Sequence, residues 1–137
     1  DEIAKMLKAR GCDIIDVSAG QTSVNAEPVY GRMFQTPFSE WVRNEAKVPT
    51  IAVGNITTAD QANTIIVSGR ADLVALARPH LTNPHFTLEA AAWHNHTAQR
   101  WPLPYGPAKD QAIRLAQREK AEAEMLQKAA APSSHRT

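Results

Sequence analysis

The sequence contains almost no cysteine and no long hydrophobic run. Cys12 is the only cysteine among 137 residues, which excludes an intramolecular disulfide and the usual multi-cysteine metal sites. No apolar run approaches the roughly 20 residues that a membrane-spanning helix needs. We therefore expect a protein of the reducing cytoplasm that does not insert into a membrane.

An excess of charge of one sign is also lacking. The 15 basic and 14 acidic residues are mixed along the chain and leave a formal net charge of +1. Nucleic acid and anionic membrane surfaces are therefore not expected partners. The five histidines do not suggest a metal site, since His94 and His96 stand two positions apart and would lie on different sides of a helix. No Walker loop, nucleophile elbow or metal-ligand cluster is found.

What the sequence does contain is a regular alternation of apolar patterns. Hydrophobic residues make up 43% of the chain, as in folded globular domains. Helix and strand periods follow one another at the spacing of βα units. The predicted strands are residues 12–18, 49–53 and 73–78. The predicted helices are residues 1–10, 37–46, 79–81 and 87–96, and a further helix between the second and third strands that is capped by Thr57 or Thr58 and ended by Ser68 and Gly69.

Alternation of this kind predicts an α/β fold with parallel strands and right-handed crossovers, in an open doubly wound sheet or a (β/α)₈ barrel. Three strands complete neither architecture, because a barrel needs eight strands and about 250 residues. The chain also begins without Met and within a helical pattern. We therefore predict the last three βα units of a (β/α)₈ TIM barrel, cut from a longer protein and followed by a C-terminal helical extension.

The stretch around Arg78 is the most informative. Five of the six residues from Leu73 to Arg78 are aliphatic, as expected of a strand buried on both faces. An arginine at the end of such a strand requires an anion, and the small Ala77 lets backbone N–H groups approach one. Pro79 suits the first turn of a helix whose amino end would face the same anion. The alternative is that Arg78 pairs with a carboxylate.

Two other loops follow predicted strands. Ala19 to Ser23 form a small, polar loop that could come close to a ligand, and Gly54 ends the second strand. In TIM barrels, phosphate is often bound by the loops after the last two strands and a short helix. The long segment 24–38 could line a pocket for a flat ligand or be packed by its own aromatics. The side chains considered there are Tyr30, Arg32, Met33, Phe34 and Gln35.

The helical periods also predict which faces are buried. In helix 37–46, one side would carry apolar residues to the core and the other polar residues to solvent. The predicted apolar side is Phe38, Trp41, Val42 and Ala46, and the predicted polar side is Ser39, Glu40, Arg43 and Glu45. In the next helix the predicted buried stripe is Ala62, Ile65, Ile66 and Val67.

The C-terminal part of the sequence has a different composition. Trp101 to Pro107 is predicted to be an extended arm fixed by prolines. Residues 108–130 are rich in Ala, Glu, Lys, Gln and Arg and predict one long helix, and the tail 132–137 is predicted to be disordered. The predicted domains are therefore a partial barrel over 1–96, an arm over 97–107, and a helix with its tail over 108–137.

Three segments together resemble a known family. Ser18-Ala19-Gly20, Val53 to Ile56, and Gly69 to Pro79 continuing to Asn83-Pro84 are similar to the C-terminal part of the old yellow enzyme family of FMN-dependent NAD(P)H:ene reductases. The resemblance covers about residues 3–95. Val29 to Phe38 and Ala77 to Leu81 resemble more closely the reductase-like domain fused to a flavin monooxygenase in salicylyl-CoA 5-hydroxylase and aminobenzoyl-CoA monooxygenase/reductase proteins.

The resemblance implies FMN as cofactor and NAD(P)H as co-substrate. It places the FMN phosphate near Ser18, on backbone amides near Gly20, Gly54 and Ala77, and on the Arg78 side chain. Many relatives have Gly where Ala77 stands. No catalytic residue can be transferred, because the family's substrate-anchoring and proton-donating groups belong to the first half of the barrel.

The resemblance also implies a function for the intact parent, which is reduction of an electron-poor double bond in an enone or aromatic-CoA-type substrate. Two alternatives stay open: a phosphate-binding TIM-barrel enzyme without flavin, and a non-catalytic, self-associating fragment. Unpaired sheet edges favour association, so we expect a homo-oligomer. Because the substrate-anchoring and proton-donating groups belong to the first half of the barrel, we also expect the chain alone to be inactive.

Overall fold

The computed structural model describes residues 2–20 and 22–130. The chain divides into two compact units, one reaching to Thr82 and the other starting at Asn83. The first unit contains helices and strands in alternation. Its elements are α1 (Glu2–Ala9), β1 (Ile15–Val17), α2 (Thr36–Ala46), β2 (Thr50–Ala52), α3 (Ala59–Val67), β3 (Leu73–Val74) and α4 (Arg78–Thr82).

The three strands form one parallel sheet in the order β1-β2-β3. Val17 lies opposite Ala52, and Ala52 lies opposite Val74, so the three carboxyl ends are level with one another. The predicted α/β class with parallel strands is confirmed. Because side chains and loops beyond these ends project from the same edge of the sheet, the segments that follow the strands are brought together.

Helix ends follow the predicted signals. Gly11 adopts a φ of 89° after α1, and the Cys12 N–H donates to the Leu7 carbonyl, which is the geometry of a glycine-terminated helix. Thr58, rather than Thr57, caps α3: its hydroxyl accepts a hydrogen bond from the Gln61 N–H at 3.2 Å. The capping threonine that the sequence left open is thereby identified.

The predicted faces of α2 are only partly confirmed, since Ala46 is buried and Val42 packs against the core, but three other residues are reversed. Phe38 is 48% exposed and Trp41 is 55% exposed, whereas Ser39 is fully buried. The Ser39 hydroxyl donates to the Thr50 hydroxyl at 2.9 Å and also lies 3.2 Å from the Arg70 carbonyl. Because these hydrogen bonds satisfy the buried hydroxyl, Ser39 packs on the sheet although it belongs to the predicted polar side.

An ion pair joins α2 to the amino end of β3. The Arg43 guanidinium makes two hydrogen bonds to the Asp72 carboxylate, at 2.9 and 3.0 Å, and a third to the Gly69 carbonyl. Asp72 also accepts the Thr50 N–H at 2.9 Å. The hydrogen bond from Arg43 and that from Thr50 lower the pKa of Asp72, and the same pair raises the pKa of Arg43. A second pair, Arg70 with Glu40, lies beside it.

Strand β3 is shorter and more exposed than predicted. Only Leu73 and Val74 are strand residues, although the Ala75 N–H still donates to the Ala52 carbonyl. Leu73 is 54% exposed, since within residues 2–20 and 22–130 no strand pairs with its outer edge. The prediction that Arg78 ends this strand is wrong, because Arg78 is the first residue of α4.

The core of the first unit consists of two small clusters. One contains Ala52, Ile56, Ile65 and Ala71, and the other contains Ala4, Ala46 and Val48. The predicted stripe of α3 is only partly buried. Ile65 lies in the core, but Val67 is 77% exposed at the end of the helix. Both clusters support the sheet that carries the loops described below.

The second unit is helical. It contains α5 (Phe86–Trp93), a 3₁₀ helix (Leu103–Ala108) and α6 (Lys109–Ala130). The predicted long helix is confirmed, and the 3₁₀ helix corrects the extended arm predicted over 101–107. Proline fixes φ near a value that suits a 3₁₀ turn as well as an extended chain, and here the Tyr105 N–H donates to the Pro102 carbonyl at 2.9 Å.

Helix α6 packs against α5 through its first half. The Gln117 side-chain amide donates to the Ala92 and Trp93 carbonyls at the end of α5, and the Lys120 ammonium lies over the Trp93 ring. The predicted disorder over 132–137 falls outside the described residues. Within the described part of the chain, no helix is long and apolar enough to span a membrane.

Candidate anion and cofactor site

A cavity of about 540 Å³ lies at the carboxyl ends of the three strands. Its walls begin where each strand stops, at Ser18 after β1, at Val53 after β2 and at Ala75 after β3. All five residues predicted to bind the cofactor line this one cavity, namely Ser18, Gly20, Gly54, Ala77 and Arg78. The structure therefore brings together residues that are up to 60 positions apart in the sequence.

Arg78 supplies the only formal charge among the described lining residues. No carboxylate in residues 2–20 and 22–130 pairs with its guanidinium, whereas Arg43 and Arg70 in the same unit each have one. The alternative prediction, a pairing of Arg78 with a carboxylate, is therefore wrong for the described chain. An exposed guanidinium in a cavity without acidic residues favours an anionic ligand.

Backbone donors accompany this charge. Among the described residues, no acceptor is hydrogen-bonded to the N–H groups of Gly20, Gly54 or Ala77. Oriented, unpaired N–H groups and an arginine are the elements from which phosphate sites are commonly built. Helix α4 has only five residues, so its dipole adds little and Arg78 is the main source of positive potential.

Ala77 fits the site without strain. The non-glycine residues with positive φ in the described chain are Met33, Lys47, Asn55 and Asn95, and Ala77 is not among them. A glycine is therefore not needed at this position for conformational reasons. Relative to glycine, the alanine adds a methyl group and leaves the backbone conformation allowed.

The Gln35 side chain connects two of the loops. Its amide oxygen accepts the Ala19 N–H, and its amide nitrogen donates to the Val53 carbonyl at 3.1 Å. Gln35 is only 6% exposed and precedes the first residue of α2. The sequence suggested Gln35 only as one of several possible pocket residues, because the two backbone partners are far away in the chain.

Gly54 has a conformation and a neighbour that both require glycine. Its φ is 109°, and a Cβ atom there would lie 3.0 Å from Gln35 Cδ and from Phe34 Cε1, and closer still to Gln35 Nε2. The space beside Gly54 is thus filled by protein. What Gly54 can offer a ligand is its backbone N–H, and a valine at this position would disturb the fold as well as the site.

The predicted pocket for a flat ligand is partly formed. Tyr30, Phe34 and Gln35 line the cavity, with Tyr30 and Phe34 in an edge-to-face contact at 5.3 Å. Met33 instead packs against the core cluster, and Arg32 is not in the lining. Asn55 was missed: its side chain donates to the Gly31 carbonyl and its own carbonyl accepts the Met33 N–H, which holds this segment beside the cavity.

The fold and the cavity define an α/β protein with a cavity at the carboxyl edge of a parallel sheet, into which one arginine without a carboxylate partner in the described chain is placed. The sequence profile of the NADH:flavin oxidoreductase / NADH oxidase family matches residues 1–96. The chain belongs to this family, and the resemblance to old yellow enzymes is confirmed. The 3₁₀ helix and α6 lie beyond the matched residues.

Individual relatives agree with this assignment. The chain is 45% identical over 87 residues to the NADPH dehydrogenase of Geobacillus thermodenitrificans, covering 64% of this chain and 25% of that protein. It is 48% identical over 88 residues to the NADPH dehydrogenase of Geobacillus sp. strain WCH70, covering 64% of this chain and 26% of the relative. A Listeria innocua NADPH dehydrogenase is 44% identical over 88 residues, covering 64% and 26%. The chain therefore spans about a quarter of the length of these relatives.

Proposed function

We propose that this chain is the FMN phosphate-binding portion of an NAD(P)H-dependent flavin oxidoreductase. The observation that carries the proposal is the unpaired Arg78 guanidinium, in a cavity whose described lining contains no acidic residue. Family membership selects FMN from among the possible phosphate ligands, since the matched family is defined by flavin oxidoreduction. A flavin-free phosphate enzyme has no comparable support.

The residues fit the phosphate end of FMN. Arg78 supplies a cationic, bidentate donor, and Gly20, Gly54 and Ala77 supply backbone N–H groups without a described acceptor. A volume of about 540 Å³ lies in the range of cofactor and small-ligand pockets. Tyr30 and Phe34 present aromatic surface to the same cavity, which suits the planar part of a ligand.

The reaction requires more of the protein than these residues. FMN supplies hydride transfer from NAD(P)H to an electron-poor acceptor in enzymes of this type. Here the chain's own residues would bind and orient the phosphate, and no catalytic residue is assigned among them. We propose that the parent is a (β/α)₈ barrel whose last three units are β1 to α4 and that this chain alone does not turn over.

We propose only the chemical class of the substrate and the kind of partner. An enone or an aromatic-CoA-type compound suits the predicted chemistry, and the likeness to reductase-like domains fused to a flavin monooxygenase stays a prediction. The predicted partial barrel domain ends near residue 96, where the family match also ends, and α6 follows later in the sequence. Self-association through the open edges of β1 and β3 is proposed for the chain on its own.

The test is a set of titrations of the full chain with FMN, riboflavin and inorganic phosphate, in which binding is monitored through the amide chemical shifts. Arg78→Ala should weaken FMN binding by roughly ten- to a hundredfold, the usual effect of losing a charge-assisted phosphate contact. Riboflavin binding should change little. Arg32→Ala is the matched control, since Arg32 is exposed and outside the cavity lining. Equal losses for FMN and riboflavin, or no response of the Gly20 and Ala77 amides to FMN, would refute the proposal.

A further inference from the structure

We infer that Gln35 is a positioning residue for the phosphate site, because its side-chain amide holds the loops after β1 and β2 at the spacing the site needs. The inference rests on the proposed function. It adds a residue outside the five predicted ones, and its contacts are to backbone groups of the loops rather than to the cavity's charge.

The strand ladder ends just before these contacts. Val17 and Ala52 form the last paired positions of β1 and β2. Ala19 and Val53 lie one or two residues further along, where the two chains separate to form the cavity wall. The Gln35 amide bridges this gap, with its oxygen on the Ala19 N–H and its nitrogen on the Val53 carbonyl. It continues the hydrogen bonding of the sheet with a side chain.

The chemistry of the gap calls for an amide side chain. One partner is an N–H, which needs an acceptor, and the other is a carbonyl, which needs a donor. A neutral amide offers one of each, whereas an ionised glutamate only accepts, a lysine only donates and a methionine does neither. Gln35 is also 6% exposed, so water does not readily replace it and the loss of either contact leaves a buried group unsatisfied.

Gly54 depends on the same side chain. The Gln35 amide nitrogen occupies the space that a Cβ on Gly54 would enter. The loop after β2 therefore passes directly over the Gln35 amide, with Val53 bonded to it and Gly54 packed against it. Gln35 also precedes the first turn of α2, and the Ser39 N–H donates to its carbonyl. One residue thus ties α2 to two of the three loops that line the cavity.

The consequence concerns preorganisation. The unpaired N–H groups of Gly20 and Gly54 can meet a phosphate together only if their loops are held in place before the ligand arrives. Without the Gln35 amide, this ordering would have to occur on binding. We therefore expect weaker phosphate and FMN binding in a variant that leaves Arg78 and the backbone donors untouched.

The experiment uses the full chain and the variant Gln35→Met, which keeps the length and flexibility of the side chain. Amide hydrogen exchange without ligand should be faster at Ala19 in this variant, and FMN affinity should fall on the order of tenfold, as for other groups that hold binding residues in place. Gln35→Glu should retain protection at Ala19, because a carboxylate still accepts that N–H. Ser39→Ala, which removes a buried hydrogen bond to Thr50 at the other end of the sheet, should leave FMN affinity unchanged.

The outcomes separate the two proposals. If the wild-type chain shows no FMN response, the proposed function fails; if it binds FMN and Gln35→Met binds equally well, only the inference fails. Should Gln35→Met lose its dispersed spectrum, Gln35→Glu replaces it in the FMN titration. The FMN affinity of Gln35→Glu should then stay below that of the wild-type chain at about 1 M salt. At this salt concentration the Debye length is about 3 Å, so repulsion of FMN by the new carboxylate is screened. A loss that disappears in salt would overturn the inference.

Discussion

Asp72 receives two hydrogen bonds from Arg43 and one from the Thr50 N–H, at the amino end of the sheet and opposite the cavity. The fully buried Ser39 hydroxyl lies beside this group. Polar groups thus hold α2 on the sheet at one end, while the loops at the other end retain unpaired donors. The ion pair and the cavity thus lie at opposite ends of the sheet.

The Asp72 pair should make stability sensitive to acid. The pKa of Asp72 is lowered in the folded chain, so the contribution is complete above the unfolded value of about 3.9 and is lost as the pH falls through the lower folded value. Asp72→Asn and Arg43→Met should both flatten the dependence of the unfolding free energy on pH below about 4. Urea titrations at several pH values measure this slope, and an unchanged slope in both variants would contradict the assignment.

The glycine at position 54 should be less replaceable than other glycines. Gly54→Ala adds a Cβ that meets Gln35 and Phe34 at a φ of 109°, whereas Gly20→Ala has a similarly positive φ of 97° but only ordinary contact with Pro28 at 3.6 Å. We expect a cost of roughly 1–3 kcal/mol for the strained backbone in both, and a further cost at position 54. Gly31→Ala, with no atom within 4 Å, is the control, and the order of urea midpoints provides the test.

The α3 cap should contribute measurably to stability. Thr58→Ala removes the acceptor of the Gln61 N–H and should lower the unfolding free energy by about 0.5–2 kcal/mol. Thr57→Ala is the matched control, because its hydroxyl makes only a long contact of 3.4 Å with the Gln61 side chain. If Thr57→Ala costs as much as Thr58→Ala, the cap is misassigned.

The chain alone should self-associate through β3. Leu73 is 54% exposed on a strand whose outer edge is unpaired in the described chain, and edge strands of this kind pair with other chains. Leu73→Lys should weaken association in sedimentation experiments, since lysine opposes edge pairing. Val67→Lys adds the same charge to an exposed apolar residue of α3 and should have little effect. A monomeric wild-type chain would refute this prediction.

Patterns along the chain predicted most helices and the parallel topology, but not the end of β3 at Val74 or the 3₁₀ helix Leu103–Ala108. The period of 3.6 residues, Gly11 and the Thr57-Thr58 pair located the helices, and short apolar runs located the strands, because these signals depend on neighbours within one turn or one strand. The resemblance to a known family implied the five cofactor residues, and the meeting of strand carboxyl ends at one edge of a parallel sheet explains why they line one cavity.

The contacts between residues that are distant in the sequence were decided by the tertiary structure. Ser39 rather than Phe38 faces the sheet because Thr50 and Arg70 come within hydrogen-bond distance of its hydroxyl. Gln35 joins Ala19 to Val53, and Arg78 has no carboxylate partner in the described chain. A periodic pattern records how apolar each residue is, but it does not contain the position of a hydrogen-bonding partner that is distant in the sequence. Only the folded chain supplies that partner.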